Sequence, residues 1–243
     1  MNKPLPPGAF AKAFQEQQRV SRRKKLLWWG IGGGLLLLVL AAGYLVFLSP
    51  VLATRQVEVS GTSLLSKEQI LDVAAVPLGL PQARQDLGEV EARVAELPEV
   101  ASVEARLAWP STVQISVSER VLVYQRKLDG KVDWVDATGT IFHRTDEPTE
   151  GAPVVTTKTT DQRLLADIAT VVSHLPEQVR ADLDTMSAEA VDQITLKLSG
   201  RRKVEWGSAD NSELKGEVLA ALLATDASVY DVSAPLHPTT VPR

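Results

Sequence analysis

The sequence predicts an α+β protein: a single N-terminal transmembrane helix, then a β-α-α-β-β domain, then a second, mainly antiparallel β domain with two helices. Three observations predict it. Residues 26–48 form one uninterrupted run without a charged side chain. Beyond it, two stretches with helix-start signals precede two runs of strict apolar/polar alternation around Trp109-Pro110. Further on, hairpin signals recur with two helical stretches interleaved.

The charge-free run LLWWGIGGGLLLLVLAAGYLVFL holds 23 residues. At about 1.5 Å per residue a helix of that length reaches about 34 Å, enough for a hydrocarbon core of about 30 Å. In lipid every backbone amide must be satisfied internally, so an isolated apolar run is helical. Trp28 and Trp29 lie at one end, and Tyr44 and Phe47 near the other, where amphipathic rings favour the interface. Arg22, Arg23, Lys24 and Lys25 abut the amino end. This anchor flank places residues 1–25 in the cytoplasm, as a basic tail, and residues from about 49 outside. The rival is a cleavable signal peptide ending near Val51-Leu52-Ala53, but signal cores run to only about 7–15 residues.

Residues 1–25 carry seven Lys/Arg against the single acid Glu16, and read as a disordered, lipid-facing tail that sets topology. The net charge of −4 conceals this asymmetry, since the rest of the chain has 19 basic and 29 acidic residues. A nucleic-acid binder is not built that way. With no cysteine, disulfides, thiolate metal sites and cysteine nucleophiles are ruled out. Gly30 and Gly34 form a GxxxG inside the span, a weak helix-pairing signal diluted by Gly32 and Gly33.

The first external domain spans 54–121. Arg55–Ser60 alternates and stops at Gly61, giving a short strand. Ser66 and Gln69 have capping-box spacing, ahead of Ile70, Leu71 and Ala74 on one helix face. A second helix begins near Asp86, with Glu89 at the reciprocal capping position, carries Leu87, Val90, Val94 and Leu97, and ends at Pro98. Val103, Ala105 and Leu107 alternate with polar residues, as do Val113, Ile115 and Val117 beyond the Trp109-Pro110-Ser111 turn, so the pair forms a hairpin with one buried face. The two helices must cover one face of a small sheet. Glu119-Arg120 is expected as an ion pair at the strand end.

Several strings here carry a resemblance: Val57-Glu58-Val59-Ser60-Gly61 with Ser66, Glu68 and Ile70; Leu97-Pro98-Glu99-Val100-Ala101-Ser102-Val103; Arg106-Leu107-Ala108-Trp109-Pro110-Ser111-Thr112-Val113; and Val117-Ser118-Glu119-Arg120. In this order, behind one basic-flanked span, they resemble the FtsQ/DivIB family of bacterial cell-division proteins. The resemblance implies that 54–121 is a POTRA-like domain followed by a largely β domain.

That second domain is expected over 122–236. Val121–Lys127 and Lys131–Asp136 flank Leu128-Asp129-Gly130, a hairpin. Asp136-Ala137-Thr138-Gly139 is turn chemistry, and the string from Trp134 to Phe142 again resembles the family. Polar residues 144–162, with Pro148, Gly151 and Pro153, read as a loop. Leu164, Leu165, Ile168, Val171, Val172 and Leu175 then recur at helical spacing. Gln193–Ser199 and Arg201–Trp206 form a hairpin about Gly200, and Asn211 or Ser212 caps a final helix.

The last regular run is Ser228–Ser233, followed by Ala234-Pro235, and the candidate partner-binding stretch within it is Val229, Tyr230, Asp231, Val232, Ser233, Ala234 and Pro235. The resemblance implies that this strand lies near a sheet edge and binds membrane-embedded partners, FtsB-like and FtsL-like single-span division proteins. An edge strand offers free N–H and C=O groups to an incoming extended segment. The alternative is an interior core strand. Residues 237–243 are expected as a flexible tail, its prolines marking where pairing stops.

The search for chemistry yields no catalytic residue, metal site, cofactor or small-molecule substrate. His143, His174 and His237 sit in separate elements, His143 at a strand end. Ser212-Glu213-Leu214-Lys215 matches S-x-x-K, the nucleophile motif of penicillin-binding proteins, but the companion S-D-N and K-T-G strings are missing and Ser212 suits a helix cap. The expectation is therefore a non-enzymatic bitopic scaffold of the division machinery, in the cytoplasmic membrane at the septum. The alternative is a single-span receptor or regulator unrelated to division.

Overall fold

The apolar run forms the second half of α1 (Ala9–Phe47) in a computed structural model that describes residues 9–243, with side chains from Trp28 onward. The side chains of Arg22, Arg23, Lys24 and Lys25, and residues 1–8 of the basic tail, lie outside the described residues. From Ala9 the tail is helical rather than disordered. Its Ala, Gln, Glu, Arg and Lys residues favour a helix, and the span supplies the nucleus from which it propagates. Over Trp28–Phe47 the mean hydropathy is 2.2, and none of the segment is buried against the rest of the chain.

A three-stranded sheet follows, with β1 (Gln56–Ser60), β2 (Val100–Ala108) and β3 (Thr112–Glu119) in the order β1-β3-β2. Strands β1 and β3 are parallel; β2 and β3 form the expected hairpin. Helices α2 (Lys67–Ala74) and α3 (Leu87–Ala95) cover one face. The α2 capping box is complete, with Gln69 N–H donating to Ser66 Oγ at 3.2 Å and Ser66 N–H to Gln69 Oε1 at 2.8 Å. Asp86 caps α3 by accepting the Glu89 N–H, but the reciprocal bond does not form because Glu89 turns to Arg93 at 2.8 Å. Ile70, Ala74, Val90 and Val94 meet Val59, Ala105, Val113, Ile115 and Val117 in one core.

The second sheet has nine strands: β4 (Tyr124–Leu128), β5 (Lys131–Val135), β6 (Ile141–Thr145), β7 (Val154–Thr156), β8 (Leu183–Ala188), β9 (Ile194–Leu198), β10 (Arg202–Gly207), β11 (Ala227–Asp231) and β12 (Thr239–Pro242). Their order is β12-β11-β10-β9-β8-β7-β4-β5-β6. Only the β4·β7, β7·β8 and β10·β11 pairings are parallel, so the sheet is mainly antiparallel. Helices α4 (Gln162–Ser173) and α6 (Ser212–Leu222), with the five-residue α5 (Glu177–Ala181), complete it. Leu165, Ile168 and Val172 share its core with Met186, Leu196, Trp206 and Tyr230. The β4–β5 turn holds Asp129 at φ 51 and Gly130 at φ 78, the two left-handed residues of a tight hairpin matched to strand twist.

Four further expectations are corrected. Residues 144–162 contain β7, a three-residue strand too short to show alternation. Residues 237–243 contain β12, since proline is compatible with an edge strand. Glu119 and Arg120 do not pair: alternating strand geometry sends Glu119 to the backbone of Ser63, Leu64 and Leu65, and Arg120 to Asp136. His143 lies inside β6 rather than at its end, paired opposite Trp134.

Candidate functional site

The carboxy-terminal end of the nine-stranded sheet is assembled on β10 and α6. Trp206, fully buried near the end of β10, donates from Nε1 to Ser212 Oγ at 3.2 Å, and that hydroxyl donates to Ala209 O at 2.7 Å. Lys215 is equally buried and donates from Nζ to Trp206 O at 3.0 Å and Ser208 O at 2.8 Å. Burial holds the Lys215 ammonium below its ordinary value, against the opposing pull of Asp210 and Asp231. Both polar residues of the S-x-x-K string are thus consumed in tying α6 to β10. Neither Asn211 nor Ser212 gives a side-chain cap: Asn211 sits at the cap with φ 54 and no such bond, because Ser212 is one residue inside and turned to Trp206.

Strand β11 lies on the far side of β10, parallel to it, with Lys203 opposite Val229 and Val204 opposite Tyr230. Tyr230 is buried and donates from its hydroxyl to Thr225 O at 2.8 Å; Val232 is buried as well. Val229 and Asp231 are half-buried. Asp231 Oδ1 accepts the Ser233 N–H at 2.9 Å, which ends the strand in an Asp-stabilised turn. Ser233 and Ala234 are exposed and Pro235 half-buried, and His237 N–H donates to Ala234 O as the chain reverses.

The reversal returns the chain as β12, antiparallel to β11, with Val241 opposite Val229 and Thr240 opposite Tyr230. The expected edge strand is therefore one place inside the edge, and β12 is the edge itself. Ser228 Oγ donates to Val241 O at 3.1 Å, and Arg243 donates to Gly200 O at 3.1 Å, which fasten β12 at its end. Exposed apolar side chains beside it are Leu236 (78%) and Val241 (55%). Sequence reasoning missed Thr239–Pro242; the signal was a β-branched Thr-Thr-Val triplet hidden between two prolines.

The membrane flank is far from this edge in the chain, and its two described members, Trp28 and Trp29, are exposed at 75% and 81%. Between the sheets, Arg120 Nη1 donates to Asp136 Oδ2 at 2.6 Å, and His143 Nδ1 lies 3.4 Å from Glu99 Oε1. Asp136 Oδ1 accepts the Thr138 and Thr140 N–H groups, as its turn role requires. Among the described residues, no three His, Asp or Glu side chains converge as metal ligands. The arrangement offers a hydrogen-bonding edge on β12, unpaired among the described residues, with exposed apolar side chains beside it.

Comparison with known proteins identifies the family of both domains. Residues 52–120 match the family model for the POTRA domain, FtsQ-type, and residues 123–234 match the model for cell division protein FtsQ/DivIB, C-terminal. The chain is 34% identical over 207 residues to cell division protein FtsQ of Streptomyces bingchenggensis, covering 80% of this chain and 78% of that protein. It is 34% identical over 202 residues to cell division protein FtsQ of Mycolicibacterium smegmatis, covering 82% of this chain and 60% of the relative. The solved major extracytoplasmic domain of DivIB from Geobacillus stearothermophilus aligns with 44% of this chain and 93% of its own, at 15% identity and a TM-score of 0.36.

Proposed function

Because this chain belongs to the FtsQ/DivIB family of bacterial cell-division proteins, which are non-enzymatic, we propose that it is a bitopic membrane scaffold of the division machinery. In this reading its extracytoplasmic domains recruit other single-span division proteins of FtsB-like and FtsL-like type. The observation that carries it is that the nine-stranded sheet ends on β12, whose outer side pairs with no other strand among the described residues.

An open edge presents a row of N–H and C=O groups, and an extended partner segment satisfies them by adding a tenth strand. Leu236 and Val241 supply apolar contact beside that ladder. Tyr230 and Val232 hold β11, and so β12, in register from the core, while exposed Ser233 and Ala234 flank the partner's path. The anchor supplies the second ingredient. Confining both proteins to one membrane plane raises their effective concentration, so a modest strand contact suffices. The basic group before Trp28 favours an inside amino terminus with both domains outside the cytoplasmic membrane, and membership of a cell-division family favours the septum as their location. Membership of a cell-division family disfavours the reading as a receptor unrelated to division.

The test is co-purification of residues 54–243 with FtsB-like and FtsL-like partners, with and without residues 239–243. Capture is expected to disappear on truncation; undiminished capture moves the site elsewhere. A phosphatase that folds only outside the cytoplasm, fused after Arg243, is expected to be active, and an inactive fusion overturns the orientation.

A further inference from the structure

We infer that the loop at 76–81 rests in the lipid–water interface beside the anchor, giving the first external domain a second, direct contact with the membrane surface. The inference depends on the reading of α1 as a membrane span.

The loop is held at the level where the span ends. Leu48 and Ser49 N–H groups both donate to Tyr44 O, at 2.9 and 3.0 Å, closing α1. Only a single 3-10 turn, Pro50–Leu52, separates this point from the domain. Thr54 N–H then donates to Leu80 O, and Gly79 N–H to Thr54 O, each at 2.9 Å, while Ala53 bridges to Pro81. Gln85 Nε2 adds bonds to Thr54 Oγ1 at 2.9 Å and Pro77 O at 2.7 Å. The end of α1 also packs against the turn Gln82–Arg84. These bonds fix the loop to Ala53 and Thr54, directly after the 3-10 turn that follows the span.

The chemistry of the foot is that of an interface. From Val73 to Pro81 there is no polar or charged side chain: Val-Ala-Ala-Val-Pro-Leu-Gly-Leu-Pro. Leu78 stands 65% exposed at the tip, and Leu48 (62%) and Val51 (59%) are exposed where the span leaves off. Behind Leu78 an open groove of about 290 Å³ is lined by Arg55, Val57, Leu71, Ala75, Val76 and Leu78. Arg55 and Arg84 are exposed, placed to meet lipid phosphates while apolar neighbours enter the acyl boundary. Lipid is the occupant because Leu78 stands exposed on a loop bonded to Thr54, close in the chain to exposed Leu48 and Val51 where the span ends, and arginines flank it. A domain gripped at two points cannot swivel about a single helix, so the membrane contact sets the direction in which the β12 edge is presented.

The chain contains no cysteine, so single labelling sites are clean. The full chain would be reconstituted in vesicles of mixed anionic and zwitterionic phospholipid with a shallow acyl-chain quencher. A polarity-sensitive dye would be placed through Leu45→Cys, Leu78→Cys or Val191→Cys. Quenching is expected at 45 and 78 and not at 191. If the dye at 78 behaves as at 191 while the dye at 45 is quenched, the anchor stands and the inference falls. If 45 is also unquenched, the span reading fails first. A dye introduced by Val76→Cys with Leu78 retained guards against the label drawing itself into lipid. Its quenching is expected to be lost on adding Leu78→Glu, and unchanged quenching overturns the inference.

Discussion

Arg120 donates to Asp136 at 2.6 Å from the last turn of chain before the second sheet, and the carboxylate it meets is the one that organises the β5–β6 turn. The same guanidinium donates from Nε to Pro98 O at 3.0 Å, so one side chain bolts the two folded units together. Burial alone would raise the Asp136 carboxyl, but hydrogen bonds from Thr138, Arg120 and Thr140 outweigh it and hold it below its ordinary value. Arg120→Ala leaves the turn bonds of Asp136 in place and removes the bolt. The expected loss is about 1.5–3 kcal/mol in urea denaturation of residues 54–243, the range for a hydrogen bond to a charged group. Limited proteolysis should show faster cutting at 121–123.

Glu119 makes the corresponding contact within the first unit. Its carboxylate accepts the N–H groups of Ser63, Leu64 and Leu65 at 3.0, 2.7 and 2.8 Å, just ahead of the α2 cap. Burial opposes the charge, but those three donors prevail and the carboxyl titrates below its ordinary value. A depressed folded-state value gives stability that is present above about pH 4.5 and withdrawn as pH falls through the folded value. Glu119→Gln is therefore expected to be less stable than the parent at pH 7 and to show a shallower acid limb. Urea midpoints between neutral and acid pH measure both; parallel curves would contradict it.

What was legible in the sequence was what local chemistry specifies. The charge-free span, the Ser66–Gln69 capping box, the Asp129-Gly130 turn and the alternation around Trp109-Pro110 each require only neighbours in the chain. The elements that went unread depend on distant partners. Val154–Thr156 is a strand because β4 and β8 lie on either side of it, both parallel. Leu183–Ala188 buries Met186 and Ala188 yet carries Asp184, Thr185 and Ser187, a weak pattern without its neighbours. At the candidate site, Tyr230 was recognised as a strand residue while Val232 lies just past the end of β11, and their burial and the displacement of the edge to β12 follow from the chain doubling back after Asp231.

The Ser212–Lys215 pair shows how a catalytic string can be structural. Ser212 Oγ is the acceptor for the fully buried Trp206 indole, and Lys215 Nζ closes the backbone of the same turn. Ser212→Ala strands the indole N–H, at a cost of about 1–3 kcal/mol for an unsatisfied buried donor. Thermal denaturation should register that loss. A β-lactam probe is expected to label neither the parent nor the variant, and complementation of a division defect should persist at a permissive temperature.

The edge and the core of the candidate site separate in a pair of variants. Val241 is 55% exposed on β12 and faces Val229 across the ladder, so Val241→Asp forfeits one cross-strand pair, about 0.2–1 kcal/mol. It also puts a charge where an added strand would lay an apolar side chain. Tyr230→Ala instead empties a site that is 1% exposed and severs the bond to Thr225, at about 3–5 kcal/mol. Partner capture through β12 predicts that Val241→Asp abolishes binding in a co-purification assay while the urea midpoint scarcely moves. Tyr230→Ala should lose binding only in step with unfolding. If binding follows stability in both variants, the outer side of β12 is not where the partner is held, because a surface charge that leaves the fold intact would then have left the complex intact too.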